Sequence, residues 1–121
     1  MAKKILLVDD DITLREMYEE RLKLEGYAVA TATNGEEALA KMKSFVPDLI
    51  LLDIMMPVMN GFTVLDKLRA HSEYSKIPVL FLTALVQDQN KNRAMKAGAA
   101  GYIVKSETMP GDLMKKIKGF V

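Results

Sequence analysis

The sequence contains no cysteine among its 121 residues, which excludes disulfides, thiol catalysis and cysteine-ligated zinc. No apolar run approaches the ~20 residues that a membrane-spanning helix needs, and Ile5–Val8 is too short for a secretory signal. Neither sign of charge is in excess, because 17 basic and 16 acidic residues give a net charge of +1. Bulk charge therefore gives no reason to expect a nucleic-acid or membrane partner. We expect a cytoplasmic protein.

The composition is that of an ordinary globular domain. Half of the residues are hydrophobic and 27% are charged. A chain of this length can bury one substantial core, and it shows no repeat, low-complexity tract or linker. We therefore expect residues 1–121 to form a single domain.

Short apolar runs and helical spacings alternate along the chain. The predicted strands are Ile5–Val8, Tyr27–Thr31, Leu49–Leu52, Val79–Leu82 and Tyr102–Val104. The residues predicted to face inward from the intervening helices are Leu14, Met17, Tyr18 and Leu22, then Ala38, Leu39, Met42 and Phe45, then Val64, Leu65 and Leu68, then Ala94 and Met95 within 87–97, and finally Leu113, Ile117 and Phe120. The alanine-rich second strand is typical of a sheet edge.

Residues at the helix ends support this division. Asn34 and Glu37 resemble a capping box, Gly26 and Gly98 suit helix C-terminal caps, and Pro110 suits a first helical turn. Five strands alternating with five helices predict an α/β fold, a doubly wound parallel sheet with helices on both faces. We adopt the flavodoxin-like strand order 2-1-3-4-5, which is taken from known proteins of this class.

Polar residues follow four of the five predicted strands. They are Asp9, Asp10 and Asp11 after the first strand, Asp53 after the third, Thr83 after the fourth and Lys105 after the fifth. The run from Leu49 to Leu52 ends at Asp53, and Pro57 and Gly61 turn the chain soon afterwards. Because parallel strands end at one edge of the sheet, we expect these side chains to converge there.

Such a cluster suits phosphoryl transfer to a carboxylate. Clustered carboxylates repel one another unless a cation joins them, and hard oxygen ligands without histidine or cysteine favour Mg²⁺. A carboxylate can act as the nucleophile and form an acyl phosphate. Thr83 could donate a hydrogen bond to a phosphoryl oxygen, and Lys105 could pair with another.

The motifs VDDD near the start, LLDIMMPVMNG in the middle, Thr83, and GAAGYIVK near the end together resemble the response-regulator receiver domain, over nearly the whole chain. The resemblance implies that Asp53 is the phospho-acceptor. It also implies that Asp9 and Asp10 are the acid pair of a magnesium site, completed by Asp53 and the main-chain carbonyl of Met55.

The resemblance further assigns the remaining residues and the partners. Thr83 corresponds to the switch hydroxyl, Lys105 to the phosphoryl-pairing lysine, and Tyr102 to an aromatic that rotates between exposed and buried positions. The implied donor is a histidine kinase or phosphotransfer protein. Phosphorylation would shift the population of a surface formed by the fourth helix, fifth strand and fifth helix, which contacts an unnamed target protein.

We expect no enzymatic activity beyond self-phosphotransfer and slow autodephosphorylation, and no direct contact with nucleic acid or membrane. No output domain is visible within the 121 residues, so the chain is expected to be either a stand-alone regulator or part of a longer protein.

Two features of the chain bear on this assignment. Ser106 follows the lysine where the family usually has proline, and because a non-proline cis bond costs about 2.5–4 kcal/mol, we expect a trans bond and a different loop path at 106–109. The positions two past the acceptor and two past Thr83 are Met55 and Leu85. Neither side chain can orient an attacking water, so we hypothesise slow loss of the phosphoryl group.

Two alternatives remain open at this point. Asp9, Asp11 and Thr13 resemble the first motif of haloacid-dehalogenase-type phosphatases, although the further acid pair of those enzymes is missing. The second alternative is a binding module with the receiver fold that is never phosphorylated. An EF-hand is excluded, since its glycine and distal glutamate are absent. The lone histidine, His71, is predicted to be solvent-exposed and not a phosphodonor.

Overall fold

The computed structural model describes residues 2–121, which fold into five parallel strands and five α-helices. In chain order they are β1 (Lys4–Val8), α1 (Ile12–Leu24), β2 (Ala28–Ala32), α2 (Gly35–Lys41), β3 (Leu49–Leu52), α3 (Gly61–Ala70), β4 (Val79–Thr83), α4 (Asp88–Lys96), β5 (Gly101–Val104) and α5 (Pro110–Lys118). A short 3₁₀ helix, Lys105–Glu107, lies between β5 and α5 and was not predicted.

The sheet has the order β2-β1-β3-β4-β5, which confirms the predicted strand order. β2 is an edge strand, and four of its five residues are only half-buried, as the alanine-rich sequence indicated. The register places Val8 beside Leu52, and Leu52 beside Phe81. The residues that follow β1, β3 and β4 therefore leave the sheet at one edge.

Both faces of the sheet are buried, which explains the continuous apolar runs. Leu6 and Val8 pack into one cluster with residues of α2 and α3, whereas Ile5 and Leu7 pack into a second with residues of α1 and α5. Burying an aliphatic side chain of this size contributes about 1.5–3 kcal/mol. All four residues of β3 are buried because β3 contributes side chains to both clusters.

The predicted caps are formed, with one difference. Asn34 accepts a hydrogen bond from the Glu37 amide at 2.8 Å, so it is the N-cap of α2. The Glu37 carboxylate does not complete the box, because it accepts a hydrogen bond from the Thr33 hydroxyl. Gly26 and Gly98 have positive φ angles of 95° and 98°, as the ends of α1 and α4 require.

Three residues predicted to face inward are exposed. Met17 is 40% exposed and Met95 46%, since α1 buries Tyr18 and Leu22, while α4 buries only Ala94. The last helix ends at Lys118, so Phe120 lies beyond it and is 40% exposed, and Met114 fills the inner face instead. His71 is exposed, as predicted. Within residues 2–121, no helix has the length and apolarity needed to cross a membrane.

Candidate functional site

Asp9, at the carboxyl end of β1, is buried with 1% of its surface exposed. Its Oδ1 accepts a hydrogen bond from the Asp11 amide at 3.0 Å. Arg15 holds the same turn from α1, because its Nη1 donates to the Asp9 carbonyl at 2.9 Å. Arg15 was not predicted as a site residue. The only sequence signal was a cation one turn into the helix that follows the acids.

Asp10 and Asp11 behave differently from Asp9. Both are exposed, and Asp11 is the N-cap of α1, where its Oδ1 accepts from the Leu14 amide at 3.0 Å. The alternative phosphatase motif needed Asp11 as a catalytic carboxylate. The Asp11 side chain instead accepts a hydrogen bond from a main-chain amide at the start of α1, which is a structural role.

Asp53, which directly follows β3, is 6% exposed and has both carboxylate oxygens engaged. Oδ1 accepts from the Ile54 amide at 2.7 Å, and Oδ2 accepts from Lys105 Nζ at 2.9 Å. The chain then folds back, since the Gly61 amide donates to the Ile54 carbonyl at 2.9 Å. A Cβ at Gly61 would lie 2.2 Å from the Asp53 carbonyl oxygen, so only glycine fits there.

A strained turn lies within this loop. The Met59 amide donates to the Pro57 carbonyl at 2.7 Å, and Val58 between them has a φ of 71°. A hydrogen bond from residue i+2 to residue i around a positive φ is a γ-turn. For a β-branched residue this conformation costs about 1–2 kcal/mol. The tight loop leaves Met55 65% exposed, two residues beyond Asp53.

Lys105 joins the carboxylates of two strands. Its Nζ lies 2.9 Å from Asp53 Oδ2 and 2.7 Å from Asp9 Oδ2, and its side chain is only 10% exposed. With Ser106 after it, Lys105 still contacts both carboxylates. The chain then continues in the 3₁₀ helix at Lys105–Glu107. Residues 2–121 contain no cis peptide bond, as expected for serine at this position.

Three carboxylates are placed to hold a metal ion. Asp9, Asp10 and Asp53 each offer one oxygen, and these oxygens lie within 4.8 Å of one another. Asp9 Oδ2 is buried, and its partner is the ammonium of Lys105, in an ion pair of 2.7 Å. A buried carboxylate oxygen paired with a lysine, within an all-oxygen donor set, suits a hard divalent cation.

Burial and charge pairing have opposite effects on the pKa values of Asp9 and Lys105. Burial raises the pKa of Asp9 above its ordinary value, and the hydrogen bonds from Lys105 and the Asp11 amide only partly offset this. Burial would lower the pKa of Lys105, but its hydrogen bonds to Asp9 and Asp53 and their charges outweigh burial and raise this pKa. The ammonium is therefore held in its charged form, while the buried Asp9 carboxylate is stabilised incompletely.

Thr83 and Tyr102 meet at one residue of the loop after β4. Thr83 is fully buried, and its hydroxyl accepts from the Leu85 amide at 3.3 Å. The Tyr102 hydroxyl donates to the Leu85 carbonyl at 2.9 Å, and its ring packs against Phe81 with centroids 6.3 Å apart. Thr83 reaches the predicted edge of the sheet, but its hydroxyl bonds Leu85 and not Asp53.

A groove opens beside the pocket, between α1 and the segment from the 3₁₀ helix to α5. It has a volume of about 590 Å³ and is lined by Leu14, Met17, Tyr18, Ala84, Pro110 and residues 105–109. Most of these side chains are apolar, and Lys105 is the cation among them. The groove therefore adjoins the acidic pocket at Lys105.

The fold is shared with known proteins. The structure of the Vibrio cholerae chemotaxis protein CheY4 is 37% identical in sequence, covers 100% of both chains and superposes with a TM-score of 0.93. A CheY-like response regulator receiver domain protein from Methanospirillum hungatei is 35% identical, covers 98% of this chain and 93% of its own, and gives a TM-score of 0.89.

Sequence comparison leads to the same group. The "DNA-binding dual master transcriptional regulator RpaA" of a Synechocystis strain is 40% identical over 102 residues, which are 84% of this chain and 42% of RpaA. The "Probable transcriptional regulator ycf27" of Cyanophora paradoxa is 40% identical over 119 residues, 98% of this chain and 48% of that protein. This chain spans about half the length of these curated relatives. The family model described as "Response regulator receiver domain" matches residues 5–118, and the chain belongs to that family.

Proposed function

We propose that Asp53 accepts a phosphoryl group from the phosphohistidine of a histidine kinase or phosphotransfer protein. The observation that carries this assignment is the ammonium of Lys105, which bridges Asp53 and Asp9 inside a buried acidic pocket. The pocket joins a nucleophilic carboxylate, a cation and further hard oxygen ligands at the edge of the sheet where α/β proteins carry out their chemistry.

The transfer step joins Asp53 to the phosphorus of the donor phosphohistidine. A carboxylate oxygen of Asp53 attacks phosphorus, the new O–P bond forms, and the P–N bond to the donor imidazole breaks. The electron pair of that bond stays on the imidazole nitrogen, and the product is an aspartyl phosphate. The Ile54 amide and Lys105 orient the two oxygens of Asp53 before attack. Lys105 then pairs with a phosphoryl oxygen as a point charge.

We assign Mg²⁺ to the three carboxylates, with the main-chain carbonyl of Met55 as a further ligand. Magnesium binds few protein carboxylates and keeps several waters, which suits one exposed and two buried acids. When bound, it would supply positive charge that offsets the charge of the phosphoryl oxygens. Asp9 gains most from such an ion, since burial disfavours its charge and Lys105 offsets this only partly.

The response to phosphorylation begins at Leu85 in this proposal. The Thr83 hydroxyl turns to a phosphoryl oxygen, and Tyr102, which bonds the Leu85 carbonyl, changes its packing. The surface of α4, β5 and α5 then shifts its population between two arrangements, and a target protein binds one of them. The added charge of about −1.5 to −2 is what biases the two arrangements.

The chain acts as a signalling acceptor in this account, with self-phosphotransfer and slow autodephosphorylation as its only chemistry. RpaA is described by its name as DNA-binding, and it is more than twice as long as the matched segment. We propose that these 121 residues contact no DNA themselves, because their net charge of +1 provides no excess of phosphate-binding cations. The cytoplasmic location and the single domain over 1–121 stay predictions.

The test is intact-mass analysis after incubation with a small acyl-phosphate donor and Mg²⁺. We expect one phosphoryl group per wild-type chain, none after chelation with EDTA, and none in Asp53→Asn. The matched control is Asp66→Asn, an exposed aspartate on α3, which should be phosphorylated like the wild type. Phosphorylation of Asp53→Asn at the wild-type level would overturn the assignment.

A further inference from the structure

The helix α4 is joined to the rest of the molecule by few apolar contacts. It has nine residues, and Ala94 is the only one of them that is buried. The N-cap residue, Gln87, makes no side-chain capping hydrogen bond. With so little apolar area to hold it, the orientation of α4 must depend on the polar contacts at its two ends.

The C-terminal end of α4 is tied down by Arg69 of α3. The helix ends in a Schellman motif, in which the Gly98 amide donates to the Met95 carbonyl and the Ala99 amide donates to the Ala94 carbonyl. The carbonyl of Gly98 then accepts from both Nε and Nη2 of Arg69, at 3.2 and 2.9 Å.

Arg69 makes a third hydrogen bond, from Nη1 to the Ile77 carbonyl at 3.0 Å, in the segment before β4. The guanidinium thus connects the end of α3, the approach to β4 and the cap of α4. Glycine is favoured at position 98 by its φ of 98°, and a Cβ there would lie only 3.2 Å from Arg69 Nε. A planar fork of donors suits such a bridge, and lysine would not reproduce it.

The other end of α4 is tied through Leu85, which precedes the helix by three residues. Its amide donates to the Thr83 hydroxyl, and its carbonyl accepts from the Tyr102 hydroxyl. Both partners are residues that the proposed function assigns to the switch. The two ends of α4 therefore differ, because one depends on the state of the switch and the other does not.

We propose that Arg69 is the positioning residue that makes the C-terminal cap of α4 a fixed pivot, so that phosphorylation moves α4 by a swing of its N-terminal end. A helix of nine residues is about 13 Å long. A swing of about 10° at the pivot displaces the far end by about 2 Å, a distance on the scale of the helix shifts that transmit switching.

A contact in the middle of the helix is compatible with such a swing. The guanidinium of Arg93 lies over the buried Phe62 ring, 4.1 Å from the centroid. Attraction between a cation and an aromatic face is broad in angle. It can hold α4 against α3 while the N-terminal end moves, whereas the three directed hydrogen bonds of Arg69 resist displacement.

The swing rests on the proposed function, but the anchor can be tested without it. The experiment is amide hydrogen exchange by NMR on the full chain, comparing wild type, Arg69→Gln, Arg69→Lys and the control Lys67→Gln, which alters an exposed charge on the same helix. Without any ligand, Arg69→Gln should speed exchange at the amides of 97–99 by about tenfold or more, as the loss of a charge-assisted hydrogen bond implies. Arg69→Lys should recover part of the protection, and Lys67→Gln should match the wild type.

The second part of the experiment adds Mg²⁺ and beryllofluoride as a phosphoryl analogue. In the wild type, we expect chemical-shift changes at 85–90 but not at 97–99, and in Arg69→Gln the changes should extend to 97–99. Unchanged protection of 97–99 in unliganded Arg69→Gln would overturn the anchor. So would an equal loss of protection in β1 and β3, because Arg69 would then serve general stability only.

The outcomes with the analogue separate the two proposals. Shift changes spread evenly along 85–99 in the loaded wild type would overturn the pivot and leave the proposed function intact. No response at 54–56 in the loaded wild type would contradict the proposed function, and the unliganded comparison alone would then decide whether Arg69 anchors α4.

Discussion

Replacing Lys105 with methionine should destabilise the metal-free protein more than any other lysine substitution in the chain. The ammonium lies 2.7 Å from Asp9 and 2.9 Å from Asp53, whose side chains are 1% and 8% exposed. Methionine is an unbranched side chain one atom shorter than lysine, and it removes the charge. Two buried carboxylates would then face each other without a cation, although burial already disfavours the charge of Asp9.

The expected loss follows from this burial. Removing one partner of a buried ion pair typically costs about 3–5 kcal/mol, because the other charge is left uncompensated. The pKa of Lys105 is raised in the folded protein, so its contribution is present below the ordinary lysine value of 10.5 and is lost as the pH rises through the folded value. The difference between variant and wild type should therefore persist at neutral pH and shrink above about pH 10.5.

The assay is urea unfolding in EDTA near pH 7.5, followed by a titration with Mg²⁺. Lys105→Met should lose about 3–5 kcal/mol in EDTA, and it should regain more stability from Mg²⁺ than the wild type does, since no ammonium competes for the same oxygens. Lys96→Met, at an exposed position on α4, is the control and should change stability by less than about 0.5 kcal/mol. A metal-free Lys105→Met as stable as this control would refute the reasoning.

Three further predictions concern the same pocket. Gly61→Ala should lower the free energy of unfolding by about 1–3 kcal/mol or more, since its Cβ would lie 2.2 Å from the Asp53 carbonyl oxygen. The control, Gly111→Ala, should not lower it, because the nearest atom to its Cβ would be 3.9 Å away. Asp9→Asn should weaken Mg²⁺ binding at least about tenfold by calorimetry. It should also raise metal-free stability above the folded pKa of Asp9, because burial disfavours that charge and a raised pKa means stability lost as the pH rises, while Lys105 keeps Asp53 as a partner. Phospho-Asp53 should persist well beyond seconds, because Met55 and Leu85 cannot orient water, and decay within seconds would refute this.

The sheet and the placement of the acidic pocket were predictable from the sequence. Runs such as Leu49–Leu52 are apolar throughout because both faces of the sheet are covered, and a polar residue at the end of such a run must lie at the sheet edge. Local chemistry also indicated the caps at Asn34 and Gly98. The apolar runs and the caps depend on residues near one another in the chain, so spacing reveals them. The strand order that brings Asp9, Asp53 and Lys105 together was taken from known proteins of this class.

Features that depend on distant main-chain groups were not predictable. Arg15 and Arg69 bind carbonyl oxygens of Asp9, Gly98 and Ile77, and nothing in the residue types of those partners marks them as acceptors. The 3₁₀ helix after β5 is too short to show a period.

The prediction of which helix residues face inward was also wrong for two exposed methionines. Met17 and Met95 fit a helical spacing, but α1 and α4 bury narrower stripes than that spacing indicated. An apolar side chain at the right spacing is therefore weaker evidence of burial than a whole apolar run.

The most direct test of the central claim is to locate the phosphoryl group. After phosphorylation with an acyl-phosphate donor and Mg²⁺, reduction with borohydride converts an aspartyl phosphate to homoserine, which peptide sequencing by mass spectrometry assigns to one position. We predict homoserine at position 53 and at no other aspartate. Homoserine at position 9, 10 or 11 with an unmodified Asp53 would contradict the account.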